Sequence, residues 1–174
     1  DIYYAASAQI VAKAAEVLGL EETRQEYQKI ADRQWQVVKE EYFTATGRCA
    51  VKTQTGLILA LKYHLSENEE LTKQMLQKLL RDNKNKLNTG FVGTPLLCNV
   101  LTDHGMTDAA YRLLLNKEYP GWLHEVKLGA TTVWERWNSL DESGHVSSTG
   151  MNSLNHYSYG AVLEWIFRHA AGLM

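Results

Sequence analysis

The sequence has few of the residues that interrupt helices and few that carry special chemistry. Its 174 residues include only two prolines and two cysteines, and the formal net charge is -2. Few prolines and almost no alternating β-branched runs argue against a β-protein. A nearly balanced charge provides no electrostatic basis for binding nucleic acid or an anionic membrane surface. We therefore exclude both of these partners and expect a helical chain.

The cysteines and most of the histidines show no spacing typical of metal ligands. Cys49 and Cys98 lie far apart, without a C-x-x-C or Cys/His pattern, so we expect free buried thiols rather than a disulfide or a zinc site. We expect no metal and no cofactor. Five histidines are most simply surface or core residues: His64, His104, His124, His145 and His169.

Long apolar runs are also missing. None reaches the roughly 20 residues that span a bilayer, and no basic-then-apolar leader precedes the first helical pattern, so we expect a soluble chain. The sequence opens at Asp1 without an initiator methionine. We expect a processed product or a part of a longer protein, and we leave the cellular compartment open.

Apolar periodicity predicts an all-α chain of antiparallel helical hairpins. The third and fifth helices and a largely buried last helix are apolar nearly all round, whereas the second, fourth and sixth are one-sided, as inner and outer layers require. Ser66 with Glu69, Thr94 and Thr107 are the expected N-terminal caps. The predicted helices are 1–18, 21–42, 53–63, 66–85, 94–104, 107–115, a short piece at 122–126, and 152–171.

The connections alternate between short and long, just as the helices alternate between inner and outer layers. Tight turns follow the inner helices, and long connections at 44–52, 86–93 and 128–151 lead back to them. In an antiparallel stack all the long connections therefore lie at one end. Because binding sites are enriched on long loops held by rigid elements, we expect function at that end.

Two glycine-led segments, Gly129–Trp137 and Gly150–Gly160, have the composition of a sugar site. Together they contain a carboxylate, an imidazole, amides, hydroxyls and paired indoles. Sugars offer hydroxyls that pair with carboxylates and amides, and C–H faces that pack on flat aromatic rings. This mixture favours a carbohydrate ligand over phosphate.

Glu135 is the candidate catalytic residue. It lies between Trp134 and Trp137 and beside Arg136 in the longest connection, and a carboxylate there could serve as a general base that activates water. An exposed ion-bearing loop is the simpler alternative. Trp134, Trp137 and Trp122 are candidates for stacking on a sugar, whereas Trp35 and Trp165 lie within helical stripes and are expected in the core.

His156 is the candidate hydrogen-bonding group opposite the carboxylate. It falls in the first turn of the predicted last helix, where the helix dipole disfavours the imidazolium form, so we expect a neutral imidazole. A structural histidine is the alternative. Asn152 and Asn155 could bind ring hydroxyls, although Asn152 could equally cap the helix.

In order along the chain, Gly90-Phe-Val-Gly-Thr-Pro95, Gly129-Ala-Thr-Thr-Val-Trp-Glu-Arg-Trp137 and Gly150-Met-Asn-Ser-Leu-Asn-His-Tyr157 resemble the signature stretches of the bacterial and fungal α-L-rhamnosidase catalytic domain. The likeness covers essentially the whole chain. It implies an (α/α)6 barrel, inverting hydrolysis of terminal α-L-rhamnosyl residues in glycosides or polysaccharides, and no cofactor. It also implies that Glu135 is the general base and that His156 contacts the sugar, with Trp134 and Trp137 lining the pocket.

The resemblance also implies that residues 1–174 are a single partial domain, the C-terminal portion of the barrel. A complete barrel has more helices than the seven or eight predicted here. The family's general acid lies in an acidic, arginine-containing motif that no segment before Glu135 matches, so we expect little or no hydrolysis by the chain alone. We also expect that incomplete coverage of the inner helices favours a homodimer.

Two alternatives remain open at the level of sequence. A hairpin scaffold of the tetratricopeptide type would explain the segment at 15–20 and its following helix, but successive hairpins here do not repeat at a fixed length. A helical-barrel glycosidase acting on another sugar, such as a trehalase or a glucoamylase, would share the topology without the three motifs.

Overall fold

The chain folds into antiparallel helices. A computed structural model describes residues 1–141, 143–148 and 150–173, and these form eight α-helices with isolated β-bridges but no extended strand. The all-α prediction is confirmed. The helices are α1 Ile2–Val17, α2 Glu21–Tyr42, α3 Gln54–Lys62, α4 Glu69–Asp82, α5 Thr94–Asp103, α6 Thr107–Leu114, α7 Trp122–Lys127 and α8 Val162–Trp165.

The helices pack as three hairpins and a final inner segment. α1 pairs with α2, α3 with α4, and α5 with α6, while α3 also packs on α5, and α5 on the turn before α8 and on α8 itself. The main core lies between these layers, and α3 and α5 both contribute several buried apolar side chains to it. Trp165 of α8 is fully buried, and its Nε1 donates to Thr102 Oγ1 at 2.7 Å, whereas Trp35 is half-buried beside Tyr63. The expected inner and outer layers are therefore present.

Two of the predicted helix caps are replaced by neighbouring residues. α4 begins at Glu69, and Asn68 caps it by accepting the Leu71 amide at 3.0 Å. Ser66 instead donates to the Gly47 carbonyl, which holds the α2–α3 connection. At α5 the residue before the helix is Gly93, and the Thr94 hydroxyl bonds to the Thr89 hydroxyl at 2.8 Å.

Threonines at the starts of two helices behave differently. Thr53 precedes α3 in extended conformation, and its hydroxyl accepts the Gly56 amide at 3.0 Å. Thr107, predicted as a cap, is instead the first residue of α6, which has no side-chain cap hydrogen bond. The sequence shows a threonine in both places, but only Thr53 has the extended backbone that capping requires.

The predicted last helix starts later and is less buried than expected. Regular structure begins with a 3-10 turn at Ser158–Ala161, continues through α8 and ends in a π-helical turn at Ile166–Ala170. Residues 152–157 are irregular because their backbone groups pair with another loop, described below. Leu163 and Phe167 are each 54% exposed, since no described helix covers that side.

Two of the three long connections, at 86–93 and 128–151, lie together, as predicted. Gln54 at the start of α3 donates to the Lys86 carbonyl at 2.8 Å and accepts the Asn88 amide at 2.8 Å. Trp137 donates from Nε1 to the Thr89 carbonyl at 2.9 Å. The α4–α5 connection is therefore joined both to the start of α3 and to the connection that contains both glycine-led segments.

The two cysteines are free and buried, as expected. Burial raises the pKa of the Cys98 thiol to about 12, so this thiol stays protonated and unreactive at neutral pH. Among the described residues, none of the helices has the length and apolar character needed to cross a membrane.

The different roles of the two threonines predict different mutational effects. Thr53→Ala removes the acceptor for the Gly56 amide and should lower the free energy of unfolding by about 1 kcal/mol. Thr107→Ala is the matched control and should cause no loss, because the Thr107 hydroxyl caps nothing. Urea unfolding followed by circular dichroism measures both. Equal losses for the two variants would contradict the assigned caps.

Candidate active site

The two glycine-led segments lie side by side and are joined through their backbones. The His156 amide donates to the Val133 carbonyl at 2.8 Å, and the Glu135 amide donates to the Ser153 carbonyl at 2.9 Å. The Thr132 hydroxyl adds a short bond to the Leu154 carbonyl. We call this arrangement the paired loops (residues 132–135 and 153–156). It places Glu135 and His156, the candidate carboxylate and imidazole, on adjacent loop segments.

Glu135 is half-buried and held at one oxygen. Its Oε2 accepts the Ser153 amide at 2.7 Å, so side chain and backbone of Glu135 both bind the same residue. Within the described part of the chain, Oε1 has no hydrogen-bond partner. A carboxylate fixed at one oxygen by a backbone amide, with the other oxygen open, is suited to accept a proton from a water molecule.

His156 makes a hydrogen bond through its ring, but not from the position expected. It lies in the loop before the 3-10 turn rather than in a helix. Its Nδ1 accepts the Ser158 amide at 3.3 Å, which requires an unprotonated Nδ1 and leaves Nε2 as the donor. The imidazole stacks on Phe91 at 5.0 Å between ring centroids and on Tyr157 at 5.1 Å.

An open cavity of about 520 Å³ adjoins the paired loops on the side of His156. His156 and Asn155 both line it, together with Thr132, Val133, Tyr157, Gly160, Ala161 and Leu163. Glu135 is not among the lining residues. Asn155 and His156 thus line one cavity. Glu135 lies on the neighbouring segment of the paired loops, and its carboxylate does not line that cavity.

The two candidate asparagines differ in environment. Asn155 is exposed, and its backbone is held by the Ser153 hydroxyl, which donates to the Asn155 carbonyl and accepts its amide at 3.1 Å each. Asn152 is half-buried and donates to the Ser139 carbonyl at 3.0 Å. Asn152 neither caps a helix nor faces the cavity. It joins its loop to the 137–147 segment.

The three candidate tryptophans form the floor beneath the site rather than exposed stacking surfaces. Trp122, Trp134 and Trp137 are 8%, 2% and 8% exposed. Trp137 stacks on Tyr159 at 4.0 Å and meets Trp122 edge-on at 5.3 Å, and the Trp122 Nε1 donates to the Tyr159 carbonyl at 2.9 Å. This geometry does not support a sugar-stacking role for these indoles, because the rings and N–H groups of Trp122 and Trp137 are already used within the core and the Trp134 side chain is buried.

Phe91 is a further candidate site residue that reasoning from the sequence did not single out. Its ring is 47% exposed and lies nearly parallel to the His156 ring, with an angle of 7° between the planes. The signal in the sequence was an aromatic residue between two glycines, Gly90 and Gly93, on a connection at the functional end. Next to His156, Phe91 and Tyr157 are the exposed aromatic rings that a sugar could pack on.

Glu125 is a second residue that the sequence did not single out. It lies in α7, is 3% exposed, and is the one buried carboxyl group among the residues that the structure describes. Its Oε2 accepts the Trp134 amide at a long 3.5 Å, and Oε1 has no partner. Burial raises the pKa of Glu125 to about 7, and the bond from Trp134 only partly opposes this rise.

Tyr159 responds to the same surroundings. Burial raises the pKa of its phenol, and the charge of Glu125 adds to that rise while Arg136 opposes it. Glu125, Tyr159 and Arg136 therefore share one electrostatic environment beneath the paired loops. Across the described ranges, histidine, cysteine and carboxylate side chains nowhere gather in a group of three that could hold a metal ion.

Comparison with known proteins identifies the domain. Residues 1–170 match the bacterial α-L-rhamnosidase six-hairpin glycosidase domain. The chain is 40% identical over 174 residues to an α-L-rhamnosidase of Formosa agariphila, covering 98% of this chain and 19% of that protein. It is 36% identical to an α-L-rhamnosidase of Streptomyces avermitilis, covering 98% of this chain and 17% of that protein.

Solved structures show the same fold. The α-L-rhamnosidase of Aspergillus terreus superposes with a TM-score of 0.90 at 33% identity over 97% of this chain and 20% of that chain. The Streptomyces avermitilis α-L-rhamnosidase in complex with L-rhamnose superposes with a TM-score of 0.89 at 36% identity, over 98% and 17%. The present chain thus spans about a fifth of the length of the relatives that it matches.

The buried carboxyl group predicts a pH-dependent stability. Because the pKa of Glu125 is about 7 in the folded chain and 4.5 without burial, the folded chain binds the proton more tightly. The resulting stabilisation is fully present below pH 4.5 and is lost as pH rises through 7, in total about 3 kcal/mol. Urea unfolding at pH 5 and pH 8 measures the loss.

Glu125→Gln is the matched control, because it is close in size and cannot ionise. Its free energy of unfolding should fall less than that of the wild type between pH 5 and pH 8. If both proteins lose the same amount, Glu125 is not the titrating group.

Proposed function

Because the chain belongs to the bacterial α-L-rhamnosidase family, within its six-hairpin glycosidase domain, we propose that it supplies the general base and part of the sugar site of a rhamnoside hydrolase. The reaction removes terminal α-L-rhamnosyl residues with inversion at the anomeric carbon. The observation that carries the proposal is the pair of loops that holds Glu135 by the Ser153 amide and places His156 on the adjacent strand of chain.

Glu135 takes a proton from the attacking water. The Ser153 amide fixes Oε2 at 2.7 Å, so Oε1 is the oxygen that accepts the proton. A base of this kind activates water on the face of the sugar opposite the leaving group, and the new C–O bond forms as the glycosidic bond breaks. The product therefore has the opposite anomeric configuration to the substrate.

An inverting hydrolase also needs an acid about 6.5–9.5 Å from the base to protonate the leaving oxygen. Glu125 is close in sequence and its pKa is raised to about 7, but it is 3% exposed beneath Trp134 and cannot reach a glycosidic oxygen. We therefore assign the acid to a part of the domain outside residues 1–174, and we propose that the isolated chain is inactive.

His156 and its neighbours bind the sugar. With Nδ1 occupied by the Ser158 amide, Nε2–H is free to donate to a ring hydroxyl, and Asn155 in the same cavity offers both a donor and an acceptor. The exposed rings of Phe91 and Tyr157 provide the flat apolar surface that sugar C–H groups pack on. The L-rhamnose complex of the Streptomyces avermitilis protein supports rhamnose as the sugar.

The sequence alternatives lose support. A tetratricopeptide-like scaffold does not explain why two of the long connections are hydrogen-bonded to one another at one end of the hairpins. A helical-barrel glycosidase for another sugar would fit the geometry, but the relatives that cover this chain carry the name α-L-rhamnosidase.

We further propose that residues 1–174 are one portion of the six-hairpin toroid. Two exposed apolar faces would receive neighbouring hairpins of the same domain. One lies on α1, and the other follows from α8 into the π-helical turn; their exposed apolar residues are Tyr3, Tyr4, Ile10 and Val17, and Leu163 and Phe167. Faces of this kind associate when their natural neighbours are missing.

The exposed faces predict self-association of the purified chain. Sedimentation velocity should show a dimer whose fraction rises with concentration, and Phe167→Lys should reduce that fraction. Leu115→Lys is the control, because Leu115 is similarly exposed but lies at the end of α6 on the outer layer. A monomer at all concentrations would contradict the prediction.

The catalytic proposal is tested in a chimera. Residues 1–174 replace the matching segment of the Streptomyces avermitilis α-L-rhamnosidase, which restores a full-length protein around them. The chimera should hydrolyse p-nitrophenyl α-L-rhamnoside, and NMR should show β-rhamnose as the first product. Glu135→Gln should lower kcat by about 10²- to 10⁴-fold, because the base is lost.

Glu67→Gln is the matched control in the same chimera, because Glu67 is an exposed carboxylate paired with Lys39 on the surface. It should leave kcat unchanged. Full activity in the Glu135→Gln chimera, or α-rhamnose as the first product, would overturn the assignment of Glu135 as the base of an inverting reaction.

A further inference from the structure

The Trp134 backbone amide is buried and depends on a side chain for its hydrogen bond. Trp134 is 2% exposed, and within the described residues the only acceptor of its amide is Glu125 Oε2, at 3.5 Å. A buried amide without a partner costs free energy comparable to a lost hydrogen bond, so this contact constrains where the Trp134 peptide can lie.

The next peptide along the chain carries Glu135. The Glu135 amide binds the Ser153 carbonyl, and the Glu135 carboxylate binds the Ser153 amide. Glu125 therefore holds the chain on the core side immediately before Glu135, while Ser153 holds Glu135 itself. With both sides held, the direction in which the Glu135 side chain leaves the backbone is constrained.

The position of Glu125 explains how a carboxyl group in the core can hold the segment before Glu135. α7 ends at Lys127, and the Ala130 amide donates to the Glu125 carbonyl at 3.0 Å, so the chain turns back over Glu125 directly after the helix. The main chain and the side chain of Glu125 thus bind two different residues of the connection that leads to Glu135.

A hydrophobic side chain would be easier to bury at this position than a carboxyl group. Burying Glu125 with Oε1 unpartnered has a cost that an apolar side chain of the same size would avoid, yet an apolar side chain could not accept the Trp134 amide. The burial of this carboxyl group is costly, and its hydrogen bond goes to the segment directly before the proposed base, so its role is best explained by the peptide that it holds in place.

We propose that Glu125 is the positioning residue for the proposed general base: it accepts the Trp134 amide from the core side and thereby sets the placement of Glu135 against Ser153. This inference rests on the proposed function of Glu135. Glu125 itself is 3% exposed and acts through the Trp134 peptide.

The test uses the purified 174-residue chain and needs no substrate. Two-dimensional ¹H–¹⁵N NMR follows the Trp134 amide, which reports the contact with Glu125, and the Ser153 amide, which reports the placement of the Glu135 carboxylate. Glu125→Met removes the acceptor at similar volume. Hydrogen exchange of both amides should become about fivefold to tenfold faster, and the Ser153 resonance should move.

Glu125→Gln keeps an acceptor oxygen and should leave the Trp134 and Ser153 amides as in the wild type. Ile58→Val is the control for a general loss of stability, because Ile58 is fully buried in α3, on a different hairpin. It should leave the Ser153 resonance in place. The proposal is supported if Glu125→Gln keeps the wild-type behaviour of both amides and Ile58→Val leaves the Ser153 resonance in place.

Three outcomes would overturn it. In the first, Glu125→Met changes the Trp134 amide alone, which makes Glu125 a local acceptor without influence on Glu135. In the second, Ile58→Val moves the Ser153 resonance as much as Glu125→Met does. In the third, Glu125→Gln behaves like Glu125→Met. If the NMR results hold while Glu135→Gln leaves the chimera fully active, the proposed function fails and the positioning of the loop stands.

Discussion

The pairing of residues 132–135 with residues 153–156 is the constraint on which the site depends. It uses backbone groups of both glycine-led segments, so neither segment can move without the other. It also explains why regular structure resumes only at Ser158, because the Ser153 and His156 amides donate to the other loop rather than to a helix. The predicted last helix therefore lacks its first turns, because the residues that would form them pair with the other loop instead.

The helical scaffold was predictable because its signals are local. The bounds of α2 agree with the prediction to the residue, since an apolar stripe at spacings of three and four can be read along one segment. The common position of the long connections was predictable for a related reason. It follows from the parity of tight and long joins in an antiparallel stack, and the bonds of Gln54 and Trp137 confirm it for the connections at 86–93 and 128–151.

The fine structure of the site was not predictable, because it depends on partners far away in sequence. Nothing near Glu125 in the sequence indicates that the Trp134 amide will bind it or that its charge will act on Tyr159. Likewise, nothing near Trp122 and Trp137 indicates that they will pack on each other, or that Trp137 will stack on Tyr159. Composition showed that indoles, a carboxylate and an imidazole were concentrated in two segments. Only the packing separates the indoles of the floor from the exposed rings of Phe91 and Tyr157.

The alternation of tight and long connections places two demands on the long ones. The tight joins at 18–20, 63–68 and 104–106 connect helices directly, whereas the long connections at the opposite end also supply Cys49, Leu87 and Trp137 to the core. A change in the length of one of these connections therefore leaves the hairpins intact only if its core residues keep their places. The same connections both hold the helices together and present exposed residues at this end, so only their exposed positions are free to vary.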